Sequence, residues 1–420
     1  MADTKKQGIL SVLDFCVEIY KEKIDGRGED CFFYSALDEK AVFGVFDGCG
    51  GSGARRYEKL QGKTGAYMAS RVISGATKDW YDSTSFLEGQ ATNTLALEEI
   101  MQGYLTVCKR EGETTSSIKG KMSKSFPTTA AIICCTPDKG KIIATCIWAG
   151  DSRCYKLDET GLMQLTEDDI SGLDAMENLT ADGGLTNVIS ASNKIRLHSK
   201  QVEIKRPCIL FTATDGCFGY LSTPMEFEYL LVDTLVRSKS VDEWERNLTE
   251  FLKNTAGDDF SLCGCSIGYG TLDNLQNRFK PRRSYLLTEY INGIEGKSSE
   301  EKSEMWREYA ANYSIFLCMP SKIEPEKKDY EKSVVEEDKC PTPAPQPKSI
   351  ATEEKKDVPA PPLNSSDKNG LQRTCVKCGA SISDNNSFCP VCGNDMRKPV
   401  IREIEPEKKT KGFKKPTDLD

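Results

Sequence analysis

The chain has 420 residues, room for two or three domains at ~150 residues each. Its 56 Lys and Arg face 64 Asp and Glu, a formal charge of −8 that disfavours a general polyanion-binding surface. No apolar run approaches the roughly 20 residues that cross a bilayer, so no membrane association is expected. With 18 Cys and a single His, His198, mechanisms that combine a His base with His ligands are excluded. The start MADTKKQGIL lacks a signal-peptide core, and Cys134, Cys135, Cys146, Cys208, Cys263 and Cys265 sit inside apolar runs. The expectation is therefore a soluble cytoplasmic protein with reduced, buried thiols.

Short β-branched runs bounded by Gly, Pro or Asp predict strands over 41–46, 129–135, 141–149, 208–213 and 260–269. Pro137-Asp138-Lys139-Gly140 joins the second to the third as a hairpin. Helices are expected near 60–78 and 91–110. Thr223, Pro224 and Glu226 supply an N-cap, a first-turn Pro and a capping-box Glu ahead of another helix. Ser240 and Glu243 repeat the device before a helix that stops near Gly257. His198 lies in a polar strand-like stretch and reads as a surface or structural residue. Residues 303–317 read as a last amphipathic helix whose aromatic stripe packs on a core. Helices clustered between runs of strands indicate an α+β layered domain.

The final hundred residues differ in kind. Residues 321–420 carry 19 Lys and Arg against 18 Asp and Glu, so the acidic excess belongs to the first 320 residues. Between 321 and 370 the only aromatic is Tyr330, and such a segment buries too little apolar surface to offset chain ordering; a disordered, partly polyproline linker is expected. Cys375-Val-Lys-Cys378-Gly and Cys389-Pro-Val-Cys392-Gly form two CxxC knuckles separated by ten residues. Two such knuckles make a tetrahedral Cys₄ site for one structural Zn²⁺ with no open position, and the segment resembles a zinc ribbon. Phe388 and Phe413 are the only aromatics after residue 370, too few for a base-stacking platform. A protein partner or a targeting role is expected for the ribbon, and nucleic acid is not.

Four strand ends place Asp in or beside a Gly turn: Asp47-Gly48, Gly150-Asp151, Asp215-Gly216 and Gly257-Asp258. One such pair is an ordinary turn. Four on neighbouring strands would bring carboxylates to one sheet edge, tolerable only where cations neutralise them. All-oxygen ligation without imidazole favours Mg²⁺ or Mn²⁺, and such an ion can generate a hydroxide nucleophile without a His base.

Over roughly residues 10–270 a set of motifs carries a family resemblance: GRGED (26–30), VFDGCGG (45–51), TTAAIIC followed by AGDSR (149–153), LTEDD (165–169), LTNVIS (185–190), TATDG (212–216) and DDFS (258–261). In order and spacing they resemble the metal-dependent protein serine/threonine phosphatases of the PP2C (PPM) family. The resemblance implies an α-β-β-α sandwich, two packed antiparallel sheets flanked by helices. It implies that Asp47 bridges two Mn²⁺ or Mg²⁺ ions with the Gly48 carbonyl on the second, and that Asp215 and Asp258 complete the first ion's ligands. Asp151 corresponds to a residue of a third metal site, although a strand-end turn role also stands for it. Glu29 and Asp30 correspond to an acidic pair that holds metal-bound waters.

The implied reaction is attack by a metal-bridging water on a phosphoserine or phosphothreonine, with proteins phosphorylated by a Ser/Thr kinase as substrates and a role in signalling. Several positions depart from the family pattern. Cys49 stands where many members have a proposed acid His, and an oxidation-sensitive thiol is the other reading. Arg27 is either a phosphate clamp or a surface Arg. Asp169, Ser190 and Pro127 alter substrate-side loops. Two alternatives stay open: a catalytically silent scaffold or sensor with this fold, and a phosphatase acting on a small molecule. The expected division is a phosphatase domain at 1–270, a helical extension packing on it at 271–320, the linker at 321–370, the ribbon at 371–397 and a charged flexible tail at 398–420.

Overall fold

Side chains alternate across strands, and here that alternation sorts the apolar residues into three layers. The computed structural model describes residues 8–319 apart from 38, 85–93, 113–123, 139–140, 171–173, 180–183, 206 and 295, together with 372–374 and 381–383. The chain divides at residue 330 into two units.

The first unit contains the strands β1 (Leu13–Lys21), β2 (Cys31–Leu37), β3 (Lys40–Phe46), β4 (Arg56–Tyr57), β5 (Lys63–Thr64), β6 (Ala130–Asp138), β7 (Lys141–Ala149), β8 (Arg153–Asp158), β9 (Gly161–Gln164), β10 (His198–Ile204), β11 (Cys208–Ala213) and β12 (Phe260–Ile267). Its α-helices are α1 (Gly50–Gly53), α2 (Gly65–Ser83), α3 (Thr94–Gly112), α4 (Pro224–Arg237), α5 (Val241–Thr255), α6 (Leu272–Leu286) and α7 (Ser299–Tyr313). Two antiparallel sheets result, with strand orders β1-β12-β11-β8-β9 and β10-β7-β6-β3-β2.

Phe43, Val45, Ile133, Cys135, Cys146 and Trp148 of the second sheet meet Cys154, Cys208, Leu210, Cys263 and Cys265 of the first, forming the layer between the sheets. Val42, Phe46, Ile132 and Ile147 point the other way, onto Ala69, Ile73, Trp80, Met101 and Leu105 of α2 and α3. On the opposite outer face Val17, Tyr155, Leu157, Phe211 and Leu262 are covered by Leu231, Trp244, Phe279 and Trp306 of α4 to α7. The order of layers is α-β-β-α, and many of the thiols serve as small apolar fillers of its interior.

Several strands absent from the sequence reading have physical causes for their faint signal. Strand β8, RCYKLD, is buried throughout although half its residues are charged. Burial is tolerated because Arg153 pairs with Asp168 at 2.6 Å and Lys156 pairs with Asp158. Strands β1 and β2 are mostly half-buried and carry mixed residues. Strand β12 ends at Ile267, short of Tyr269, because Gly268 takes a φ of 81° and the Tyr269 amide donates to Asp14 Oδ2 at 2.8 Å.

The helix starts are those the caps indicate. Thr223 Oγ1 accepts from the Glu226 amide and Ser240 Oγ from the Glu243 amide, each at 3.2 Å. The two glutamates do not close a capping box, however. Glu226 accepts from the Ser222 amide and Glu243 from the Lys239 amide, each one residue beyond the cap. The full box occurs at Ser298 and Glu301, where α7 begins. The predicted last helix lies at Ser299–Tyr313, several residues earlier than the expected 303–317, and the helix expected near 60–78 begins at Gly65. In the second unit the backbone pairs Gln372–Thr374 with Ser381–Ser383 antiparallel. The turn residues 139–140, the linker 321–370, the four ribbon cysteines and the tail lie outside the described residues.

Candidate functional site

The strand registers explain why distant carboxylates meet. Cys31 pairs with Phe46, Ala130 with Ala149, Ala213 with both Arg153 and Leu262. The start of β2, the ends of β3, β7 and β11, and the starts of β8 and β12 therefore share one end of the sandwich, and Glu29, Asp47, Asp151, Asp215 and Asp258 lie just beyond those strand ends. They line a single cleft of about 250 Å³, with Gly48, Cys49, Gly50, Gly51, Leu185 and Asp259. Among the described residues none that lines it is basic.

The turns that hold these residues are fixed by close backbone approach. Gly150 has a φ of 98° and sits against Thr129, so the Asp151 turn requires glycine. At Gly216 a Cβ would overlap the Asp259 carbonyl, which ties the Asp215 turn to the Asp258-Asp259 turn. Thr129 Oγ1 accepts from the Asp47 amide at 3.2 Å, and Thr128 Oγ1 donates to the Asp47 carbonyl at 2.7 Å. Thr128 also bridges Ile189 and Gly48, so TTAAIIC and LTNVIS brace the Asp47 loop.

Electrostatics in the cleft follow from crowding. Withdrawal from water raises the Asp47 carboxyl well above the usual carboxylate range, with repulsion from Asp30, Asp215, Asp151 and Asp258 added. Asp215 is raised well above that range by burial first, then by Asp151, Asp30 and Asp258. Burial, then Asp168, pushes Asp151 up to about 6. Glu29 is raised by burial, against a hydrogen bond from the Thr64 hydroxyl. Asp30 lies beneath the cleft, 2% exposed, where it accepts from Thr214 Oγ1 at 2.8 Å and Ser261 Oγ at 2.9 Å. Burial raises it to about 7 in spite of those two bonds.

A cluster of this sign is the environment of a cation, and one atom marks the need. Asp151 Oδ1 is buried and has no hydrogen-bond partner among the described residues. The donor set is entirely oxygen, which suits Mg²⁺ or Mn²⁺. Among the described residues no three Asp, Glu, Cys or His side chains are drawn together tightly enough to hold an ion. The donors thus match the cation in kind and in location while lining the cleft rather than closing on a point.

Other sequence candidates fall differently. Arg27 is exposed and is not part of the cleft lining; its amide donates to the Ile24 carbonyl. Cys49 does line the cleft, where burial first and Asp47 next hold its thiol well above the usual range. Asp169 accepts from the Gly150 amide at 2.9 Å and pairs with His198 Nε2 at 2.8 Å, so the lone histidine has a partner in the altered LTEDD segment. Asp259 was not singled out by the sequence. It accepts from the amides of Lys23 and Glu29 at 2.7 and 2.6 Å, fastening the 22–29 loop to the Asp258 turn. Its signal was the doubled Asp, of which only the first was read as a ligand.

Residues 374–396 match the family model of the zinc-ribbon domain. The C-terminal segment is a zinc ribbon. All four cysteines of its two knuckles fall within that match. No curated protein sequence matches the chain.

Among solved structures the chain is similar to the serine/threonine phosphatase Stp1 of Staphylococcus aureus, at 15% identity and a TM-score of 0.48, over 64% of this chain and 99% of that one. It is also similar to the catalytic domain of the serine/threonine phosphatase PstP in complex with two manganese ions, at 14% identity and a TM-score of 0.42, over 61% of this chain and 98% of that one. A third, the PPM Ser-Thr phosphatase MsPP of Mycobacterium smegmatis in complex with cacodylate, has 13% identity and a TM-score of 0.42, over 61% of this chain and 100% of that one.

Proposed function

We propose that the chain is a metal-dependent phosphatase that hydrolyses phosphoserine and phosphothreonine in proteins. The observation that carries the reading is the convergence of Glu29, Asp47, Asp151, Asp215 and Asp258 on one cleft that no described basic residue lines, with Asp151 Oδ1 left without a partner among the described residues. The order of the eight motifs in the sequence supports the same reading. Asp47, the Gly48 carbonyl, Asp215 and Asp258 would hold two Mn²⁺ or Mg²⁺ ions, Asp151 a third, and Glu29 and Asp30 their waters. When bound, such ions neutralise charge and supply an activated water for attack on phosphorus.

The chain's own part is orientation. Thr214 and Ser261 fix Asp30, Asp259 fixes the loop that bears Glu29, and Leu185 forms an apolar edge of the cleft. Cys375, Cys378, Cys389 and Cys392 would hold one structural Zn²⁺, and the ribbon would recruit a protein partner.

Hydrolysis of a phosphothreonine peptide and of p-nitrophenyl phosphate tests the reading. Activity is expected with Mn²⁺ and not with EDTA. Asp47→Asn and Asp215→Asn should each lose more than about 100-fold, since even outer-shell partners of a metal cost 10–100-fold. Full activity in both variants, or metal-independent hydrolysis, overturns it. Hydrolysis of the small ester alone would instead select a small-molecule substrate.

A further inference from the structure

Helix α7 lies far along the chain from the cleft, yet a relay of hydrogen bonds and short backbone steps joins the two. Trp306, 6% exposed, donates its Nε1–H to Asp174 Oδ2 at 2.8 Å. Asp174 stands in the segment between β9 and β10, and its Oδ1 accepts from the amides of Met176 and Glu177 at 2.9 Å, which sets the turn Glu177–Leu179. Asn178 in that turn donates to Asp168 Oδ2 at 3.0 Å. Arg153 grips the same carboxylate, its Nε at 3.0 Å from both oxygens and its Nη2 at 2.6 Å from Oδ2. Arg153 Nη1 also faces Tyr313 Oη of α7 at 3.4 Å, a second tie from the helix.

The next residue reaches the cleft. Asp169 exchanges hydrogen bonds with Gly150, its amide donating to the Gly150 carbonyl at 3.0 Å while its Oδ2 accepts from the Gly150 amide. Gly150 precedes Asp151. The Asp169 carbonyl accepts from the Thr186 amide at 2.8 Å, and Thr186 follows Leu185 of the cleft lining. Arg153 and Asp168 are almost wholly buried, with side chains 3% and 7% exposed, so this pair cannot yield to water without large cost.

We propose that α7 is a strap that positions the cleft rim, with Trp306 a positioning residue acting through Asp174 on the Asp168-Asp169 corner and Leu185. The substrate-level part rests on the phosphatase reading; the structural part does not.

Three full-length variants test it: Trp306→Phe, Asp174→Asn and the double variant. Asp174→Asn can still accept from the Met176 and Glu177 amides at one oxygen but offers Trp306 no second acceptor. Backbone amide exchange over 165–170 and 174–179 should quicken about tenfold in each single variant, the scale of one lost hydrogen bond to a charged group. The double variant should be no faster than either single one. KM for the phosphothreonine peptide should rise by a similar factor while kcat on p-nitrophenyl phosphate holds. Unchanged exchange in both single variants, or additive quickening in the double, overturns the strap. If the wild-type protein hydrolyses no phosphate ester, the phosphatase reading fails and the exchange data still decide the strap.

Discussion

Asp151 combines a carboxyl raised to about 6 with a buried oxygen that no described residue satisfies. Asp47, raised well above the usual range by burial and by its acidic neighbours, is stabilised only when something positive joins it. In EDTA at pH 8, Asp47→Asn should therefore raise thermal stability by ~1–2 kcal/mol through relief of repulsion. In Mn²⁺ the wild-type protein should gain more than the variant. A calorimetric scan of both proteins with and without metal checks this, and a variant destabilised in EDTA would contradict it.

His198 supplies a pH prediction of the opposite kind. Its hydrogen bond to Asp169 raises it above its ordinary value of about 6.5, with burial opposing. A raised folded value means the pair's stabilisation is full below about 6.5 and fades as pH rises through the folded value. Its side chain is 48% exposed, so solvent screening keeps the gain within about 0.2–1 kcal/mol. Against His198→Gln, the wild-type advantage in thermal midpoint should be present at pH 5.5 and absent at pH 8.5. The Asp-Gly pairs made Asp47, Asp151, Asp215 and Asp258 visible in the sequence; the His198–Asp169 pair, 29 residues apart, had no local signal.

At the scale of elements, the helices of 271–319 are locked to the sandwich by a buried ion pair. Glu228 of α4 is 0% exposed and accepts from Arg282 of α6 at 2.7 and 2.9 Å and from Tyr309 Oη of α7 at 2.7 Å. Removing one partner leaves a buried charge, so Arg282→Met should cost about 3–5 kcal/mol in urea unfolding. Adding Glu228→Gln should recover part of that loss, and equal stability of Arg282→Met and wild type would refute the assignment. This pair was illegible beforehand because α6 carries a weak apolar stripe and an internal Pro281, and its charged face looks solvent-bound until α4 covers it. Strands β3, β7 and β11 were legible, since burial on both faces leaves a near-continuous apolar run. Strand β8 was not, because its charges are satisfied only by residues brought from elsewhere.

For the whole molecule, the two proposed metal sites differ in donor chemistry: the four thiols of Cys375, Cys378, Cys389 and Cys392 would suit Zn²⁺, and the cleft carboxylates a hard cation. Purified protein should carry close to one Zn per chain. That ratio should fall in Cys375→Ser and Cys392→Ser, while Mn²⁺-dependent hydrolysis persists, as measured by elemental analysis beside the activity assay. A ribbon variant that lost hydrolysis with its zinc would show that the two sites depend on each other.

Sequence alone determined the layered α+β class, the apolar strands, the N-caps at Thr223 and Ser240 and the zinc ribbon, because periodicity, capping and CxxC spacing are local properties that survive without a fold. It also supplied the acidic turn residues, whose Asp-Gly signature is local too. Only the tertiary structure decided that those turns share one end of two sheets. It alone placed Asp30 beneath the cleft, put Asp259 on the Glu29 loop and left Arg27 outside the lining. Those relations depend on strand register and burial, long-range quantities set when the two sheets close over their common core.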